Sequence, residues 1–459
     1  MGSLTSLMFL AQGGMAAQSA GIQIAGQNIT NASTPGYVRR SALLEARPMG
    51  GGALGGVEYT GIQRHYDKYA QTRILGESGM LASATARAGG LAGLEAWLAP
   101  TEGGIGDSMT AMFSAATELA SNAADPAARS AFLARAEQVA QSFRSAGDAL
   151  AARRGELHAQ AGETAGQVNA GLQDIAKLNQ QIATAQASGE PAADLRDKRD
   201  QIVRSVSEKT GASMIEEPNG MVTLLAGGTA LVQGDQASKL SVSLGGAGEL
   251  AFSVQKPGGS TIDVTSRLDG GTLGGIKEAR DVDLTAMQTS LDQMAFDFAS
   301  AANAVHGAGY GLDGVSGRPL FKPPAGVAGA ARALVVDPGI AGQPNKIGAS
   351  STATGLPAGN SAALALAGLA SQPLAGGGTP AERFGSFAAS LGSAQTSAAS
   401  AMDMRESTLG MAEAMREQSA GVSIDEEMVN LSRYQRAFEA TMRVLQVADE
   451  LLEGLIRQV

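Results

Sequence analysis

Apolar positions recur at helical spacing at both ends of the chain. Leu4, Met8, Ala11, Met15, Gln18, Ile22, Ala25 and Ile29 alternate steps of four and three. That is the spacing of a coiled-coil seam. The seam stops at Thr34-Pro35-Gly36-Tyr37, a strong breaker. Ile424, Met428, Leu431, Gln435, Phe438, Met442, Leu445, Asp449 and Leu452 repeat the pattern near the other end. A second seam, Tyr434, Ala437, Thr441, Val444, Ala448 and Leu451, runs beside it, so this helix is expected to meet more than one neighbour. Ser423 and Glu426 have the spacing of a capping box, and Glu453 and Arg457 that of an i,i+4 ion pair.

The first seam predicts a helix that is weak alone. Gly13, Gly14, Gly21 and Gly26 interrupt it, each costing about 1 kcal/mol relative to Ala in a helix interior. No charge occurs before Arg39, so no ion pair offsets that cost. The segment needs a partner, most simply the C-terminal helix. Both ends are expected to be mobile in an isolated monomer and to order on assembly.

Between the ends the pattern is mostly helical. Residues 81–98, 106–121, 127–153, 155–188, 192–209, 281–305 and 380–419 read as helices, the third opened by Asp125-Pro126. Leu157, Ala161, Val168, Ile175, Leu178 and Ile182 form a heptad seam whose weak positions are Thr164 and Gly171. Residues 211–272 change character, with Thr, Val and Ser rising and Gly marking turns. Pro218-Asn219-Gly220 predicts a hairpin turn, and Lys239–Leu244, Glu249–Gln255 and Thr261–Thr265 read as strands. Residues 307–375 read as a Gly/Pro/Ser-rich segment with a short strand at 333–336.

The expected fold is therefore mainly α with a small β insert. It is an elongated, hairpin-like rod with its terminal helices paired in a coiled-coil-like core, a discontinuous helical inner domain and one outer β domain. The boundaries read as 1–45 with 421–459, 46–209 with 273–420, and 210–272.

Composition narrows the function. The chain has 459 residues, a net charge of −10, 61 glycines, one Trp and no cysteine. No disulfide framework or thiolate chemistry is available. Net acidity argues against a nucleic-acid partner. Polar residues such as Gln12, Gln18, Gln23 and Gln27 interrupt the uncharged N-terminus, which excludes a membrane span there and a cleavable signal of the usual kind. His65, His158 and His306 lie far apart, so no histidine metal cluster is expected.

Three local motifs read as structure rather than chemistry. Gly309-Tyr310-Gly311-Leu312-Asp313-Gly314 spells a dinucleotide fingerprint, but follows a helix where that site needs a strand. Gly106-Asp107-Ser108 caps a helix naturally and has no His-Asp partners downstream. The alternating charges of Asp194-Leu195-Arg196-Asp197-Lys198-Arg199-Asp200 predict a solvated helix face. The chain is expected to be no enzyme, with no cofactor and no metal.

The residues also carry a resemblance. Asn28-Ile29-Thr30-Asn31-Ala32-Ser33-Thr34-Pro35-Gly36-Tyr37-Val38-Arg39 resembles the N-terminal signature of flagellar rod, hook and hook-associated proteins. Gly421 to Leu431, continuing through Tyr434–Phe438, resembles their C-terminal signature. Leu195–Val203 with Lys209-Thr210-Gly211, Ala301–His306 and Gly359–Ala367 are similar to the hook-associated protein 1 family, the first of the hook–filament junction proteins. The resemblance implies a structural protein of the bacterial flagellum, extracellular, exported unfolded through the flagellar type III apparatus. It would form a ring between hook and filament. Its partners would be further copies of itself, the hook protein, hook-associated protein 3 and a cytoplasmic export chaperone at the C-terminal region. A hook or distal-rod protein is the alternative, disfavoured by the helices over 106–209. The positions expected at the assembly interface are Leu4, Met8, Met15, Ile22, Ile29, Met428, Leu431, Phe438, Met442, Leu445 and Leu452.

Overall fold

The computed structural model describes residues 2–34, 37–46, 56–100, 103–189 and 192–457. Pro35 and Gly36 of the breaker, residues 50–55 of a Gly-rich loop, and Glu190 and Pro191 lie outside these. Helix α1 (Gly2–Asn31) leads into an antiparallel hairpin of β1 (Arg40–Ala46) and β2 (Val57–Arg64). The hairpin packs on α1, where the carbonyl of Val57 lies 3.0 Å from the place a Cβ on Gly13 would take.

The inner helices follow. They are α2 (Lys68–Leu91), α3 (Glu95–Leu98), α4 (Ile105–Ser121), α5 (Pro126–Ala187) and α6 (Ala193–Thr210). The two helices expected over 127–153 and 155–188 are one helix of 62 residues. Asp125 caps it by accepting from the Ala127 N–H, with Pro126 in the first turn. Gly155 does not break it, because Leu150 and Leu157 on either side are buried, and Arg153 donates to the carbonyls of Gly89 and Gly90. Packing overrides the local propensity. Gly171, the weak point of the seam, lets α6 approach: a Cβ there would sit 2.7 Å from Val206.

Two small antiparallel sheets form the β insert. The first runs β3 (Ser213–Glu216), β4 (Val222–Ala226), β5 (Thr229–Gln233) and β6 (Gln236–Ala237) in that order. The second runs β7 (Lys239–Leu244), β8 (Leu250–Gln255) and β9 (Thr261–Asp263). Val222, Leu224 and Ala226 are buried on alternate positions, as are Leu250, Phe252 and Val254. Two asparagines on α5 hold these sheets by backbone mimicry. Asn169 donates to the Leu240 carbonyl and accepts from its N–H, and Asn179 does the same with Val222.

The chain then returns through α7 (Gly271–Lys277), a π turn over Glu278–Asp283 and α8 (Leu284–Gly307). Residues 307–375 are pegged to this body by polar side chains. Asp292 accepts from the N–H groups of Gly329 and Ala331, and buried Arg129 donates to the carbonyls of Ala123 and Ile347. The expected strand at 333–336 is instead the end of α9 (Ala330–Ala333), followed by a single bridge between Phe321 and Val336. Helices α10 (Ser361–Gly368), α11 (Pro380–Ala420) and α12 (Ile424–Ile456) complete the chain. Phe113, Phe143 and Phe321 surround Phe298 at centroid distances of 5.8–6.1 Å, supplying much of the core's aromatic area.

Candidate assembly interface

Helices α1 and α12 pack antiparallel along their length. The register is set by three matched levels. Gly14 faces Thr441, Gly21 faces the Tyr434 ring, and Asn28 faces Glu427. The face of α12 toward α1 thus steps through Glu427, Leu431, Tyr434, Phe438, Thr441, Leu445, Ala448 and Leu452, each buried or half-buried. It combines four residues of one sequence seam with three of the other.

On α1 the buried positions are Ala11, Ala17, Gly21, Ile24, Ala25 and Asn28. This face is rotated from the one expected, because small residues let two backbones approach closely and the larger side chains are pushed to the flanks. Leu4, Met8, Met15, Ile22 and Ile29 are accordingly half-buried on those flanks. On α12, Leu431, Phe438, Leu445 and Leu452 turn toward α1, whereas Met428 and Met442 are exposed. The seam spacing alone could not choose between these faces; the glycines at 14 and 21 carried the signal.

Asn28 is the polar centre of the pair. Its Nδ2 donates to the Arg40 carbonyl at 2.8 Å and to Glu427 Oε2 at 3.1 Å. Its Oδ1 accepts from the Tyr37 hydroxyl at 2.8 Å and from the Arg40 N–H at 3.1 Å. Four bonds satisfy the buried amide fully. Glu427, also buried, is neutralised by Arg39 at 2.8 Å. A satisfied polar layer in an otherwise apolar seam fixes register, since sliding would strand it without partners. Burial pushes the Tyr37 hydroxyl above its ordinary pKa, so it stays a donor.

The charge run on α6 is a solvated face only in part: Asp194 and Lys198 are exposed, but Asp197, Arg199 and Asp200 are largely buried. Arg40 reaches Asp194 and Asp197, and Arg64 reaches Asp197 and Asp200. Arg199 is buried and donates to the Gly220 carbonyl at 2.7 Å. The correction has a simple cause: the partner cations arrive on the β1–β2 hairpin, more than a hundred residues away.

The other motif residues serve the fold. Ser108 is buried and donates to the Ile105 carbonyl. Gly311 and Gly314 sit in a turn closed by the Arg318–Asp313 ion pair. His306 is buried, with Nδ1 2.7 Å from the Arg318 carbonyl and Nε2 3.1 Å from the Gly348 nitrogen. Those partners require a neutral ring protonated on Nδ1. Among the described residues no helix is long and apolar enough to cross a membrane.

The chain carries a paired terminal unit on a helical body, and the sequence comparisons match parts of both to flagellar families. Residues 416–458 match the family model described as flagellar basal body rod FlgEFG protein, C-terminal. Residues 91–321, half of the chain, match that of the flagellar hook-associated protein FlgK helical domain. The chain belongs to the flagellar hook-associated protein FlgK family. It is 30% identical to flagellar hook-associated protein 1 of Salmonella typhimurium over 70% of this chain and 60% of the relative. It is 26% identical to the Bacillus subtilis protein of the same name over 96% of each. The structure of the flagellar hook junction protein FlgK from Burkholderia pseudomallei superposes with a TM-score of 0.51 at 28% identity, over 55% of this chain and 46% of that one. The chain thus aligns with about three-fifths of the length of the Salmonella relative.

Proposed function

We propose that this chain builds the ring-like junction between flagellar hook and filament and couples the two mechanically. The observation that carries the reading is one chain holding both a FlgK-type helical body and a terminal helix pair with an apolar outer side. Phe9 on α1 and Ile424, Met428, Val444, Val447 and Leu451 on α12 are exposed. A stripe of this kind along a helix pair is surface that neighbouring subunits cover. Individual seam contacts of about 1 kcal/mol sum over a closed ring. Residues 1–45 with 421–459 act as the assembling unit, 46–209 with 273–420 as the inner unit, and 210–272 as the outer one.

Copies of this chain meet along Leu4, Met8, Met15, Ile22, Ile29, Met428 and Met442 on the outside of the helix pair, while Leu431, Phe438, Leu445 and Leu452 serve assembly from within it by holding α12 on α1. The ring contacts the hook protein on one side and hook-associated protein 3 on the other. Before export through the flagellar type III channel, the C-terminal region is held by a cytoplasmic chaperone. The role is structural and not enzymatic. Immunogold labelling of intact flagella tests it. One band at the hook–filament joint is expected; label distributed along the hook would defeat the reading.

A further inference from the structure

We infer that Arg40 and Arg64, closing on Asp197 and Asp200, form an ionic latch across a two-stranded hinge, so that the terminal helix pair can swing as one body against the inner helices.

Three observations carry this. First, the broad packing contacts of α1, β1, β2 and α12 are with one another. The chain crosses to the inner helices twice, at 65–67 and at 421–423, both outside regular structure. A Cβ on Gly421 would collide with the Glu417 carbonyl, so the second crossing is a tight bend that needs glycine.

Second, the unit boundary is polar and open where it could have been packed. A cleft of about 380 Å³ lies on one side of the latch, lined by Tyr37, Arg40, Asp194, Asp197 and Lys198 among others. A cleft of about 870 Å³ lies on the other, lined by residues including Val38, Tyr66, Asp200, Arg204 and Val422. Domains joined across a polar boundary, without a large apolar interface, are free to move relative to one another; this boundary is of that polar kind.

Third, the ionic groups are placed to hold and to release. The side chains of Arg40, Arg64, Asp197 and Asp200 are 7–13% exposed, so salt screens them little. Asp197 is shared, taking Arg40 on one oxygen and Arg64 on the other, each at 2.5 Å. Yet Nε of both arginines is buried without a partner among the described residues. Closing the latch therefore leaves two donors dry, and opening it hydrates them, which narrows the gap between the two states. On the inner side α6 is anchored to α11 by Arg204–Glu413, so the acidic half of the latch moves with the inner body.

The absence of cysteine makes the test direct. Spin labels on Glu137→Cys in α5 and Gln446→Cys in α12 read the distance between the units in the full chain. Labels on Gln12→Cys and Gln446→Cys read the distance within the terminal pair. The expected result is one narrow distance between the units, and an unchanged distance within the pair. Arg40→Ala with Arg64→Ala, and separately the isosteric Asp197→Asn, should widen the inter-unit distribution about twofold or add a second population. The isosteric variant guards against simple loss of fold. An unchanged inter-unit distance in both variants overturns the inference, because packing then sets the angle. So does a broad inter-unit distance in the unmodified chain, where no latch would be closed. A broad distance within the pair overturns it as well, because no rigid body would exist to swing.

Discussion

The Cβ that Gly21 lacks would lie 2.8 Å from the ring of Tyr434. The glycine is therefore a seat for the tyrosine, and its helix-weakening effect is offset by the close approach it permits. Gly26, on the same helix, has none of the described residues within 4 Å of its missing Cβ. The two should respond oppositely. Gly21→Val should destabilise the terminal pair by about 1–3 kcal/mol through overpacking. Gly26→Ala should stabilise it by about 0.5–1 kcal/mol through propensity alone. Amide exchange over residues 7–29 reads both; equal effects of the same sign would refute the seat.

The polar layer predicts a charge-specific defect. Asn28→Asp removes the donor to Glu427 and sets two carboxylates against each other in a buried place. A loss of about 2–4 kcal/mol is expected. Glu427→Gln in the same chain restores a donor opposite the new carboxylate and should recover part of it, as a coupling energy in a double-mutant cycle. Strict additivity would show that the layer does not act as a unit.

His306 gives the stability a pH dependence. Burial holds its pKa below the ordinary value, and its Nε2 must accept from the Gly348 N–H. The unfolded chain therefore binds the proton more readily than the folded one. Stability from this group is complete above about pH 6.5 and falls as pH drops toward the folded pKa, by at most about 1.4 kcal/mol per pH unit. His306→Gln should be less stable at pH 8 but show a flatter acid limb between pH 6.5 and 5 in urea titrations. An identical limb would assign the acid sensitivity elsewhere.

Assembly and pairing should separate by mutation. Leu431→Asp and Phe438→Asp face α1 and should disrupt the helix pair itself. Met428→Asp and Met442→Asp are exposed, and should change the stability of the monomer by less than about 0.5 kcal/mol. All four should be exported but leave hooks without filaments in electron micrographs. Normal filaments in the methionine variants would remove those positions from the interface.

How much of this was legible depended on distance along the chain. The seam of α5 could be read directly: Leu157, Ala161, Val168, Ile175, Leu178 and Ile182 are all buried. The strand at Lys239–Leu244 was legible for the same reason, local period. The β1–β2 hairpin was not, because Arg40-Ser41-Ala42-Leu43-Leu44-Glu45-Ala46 lacks β-branched residues and pairs by virtue of lying on α1. The role of Asp197 was hidden further still. Its own helix offers Lys198 and Arg199, while the cations that bind it come from positions 40 and 64. On α1 the period was visible but its phase was not, since Gly14 and Gly21 read as defects until Thr441 and Tyr434 stood opposite them.

One consequence of the 62-residue helix concerns phase. A helix of that length spans about 90 Å and turns about 100° per residue. Its early turns grip α4 and α9, and its later turns carry α6 and the β insert. The two ends are therefore locked in angular step like cams on a single shaft. A one-residue insertion near Gly155 would leave both ends intact and turn one against the other by about 100°, so the length of α5 is itself a specified quantity.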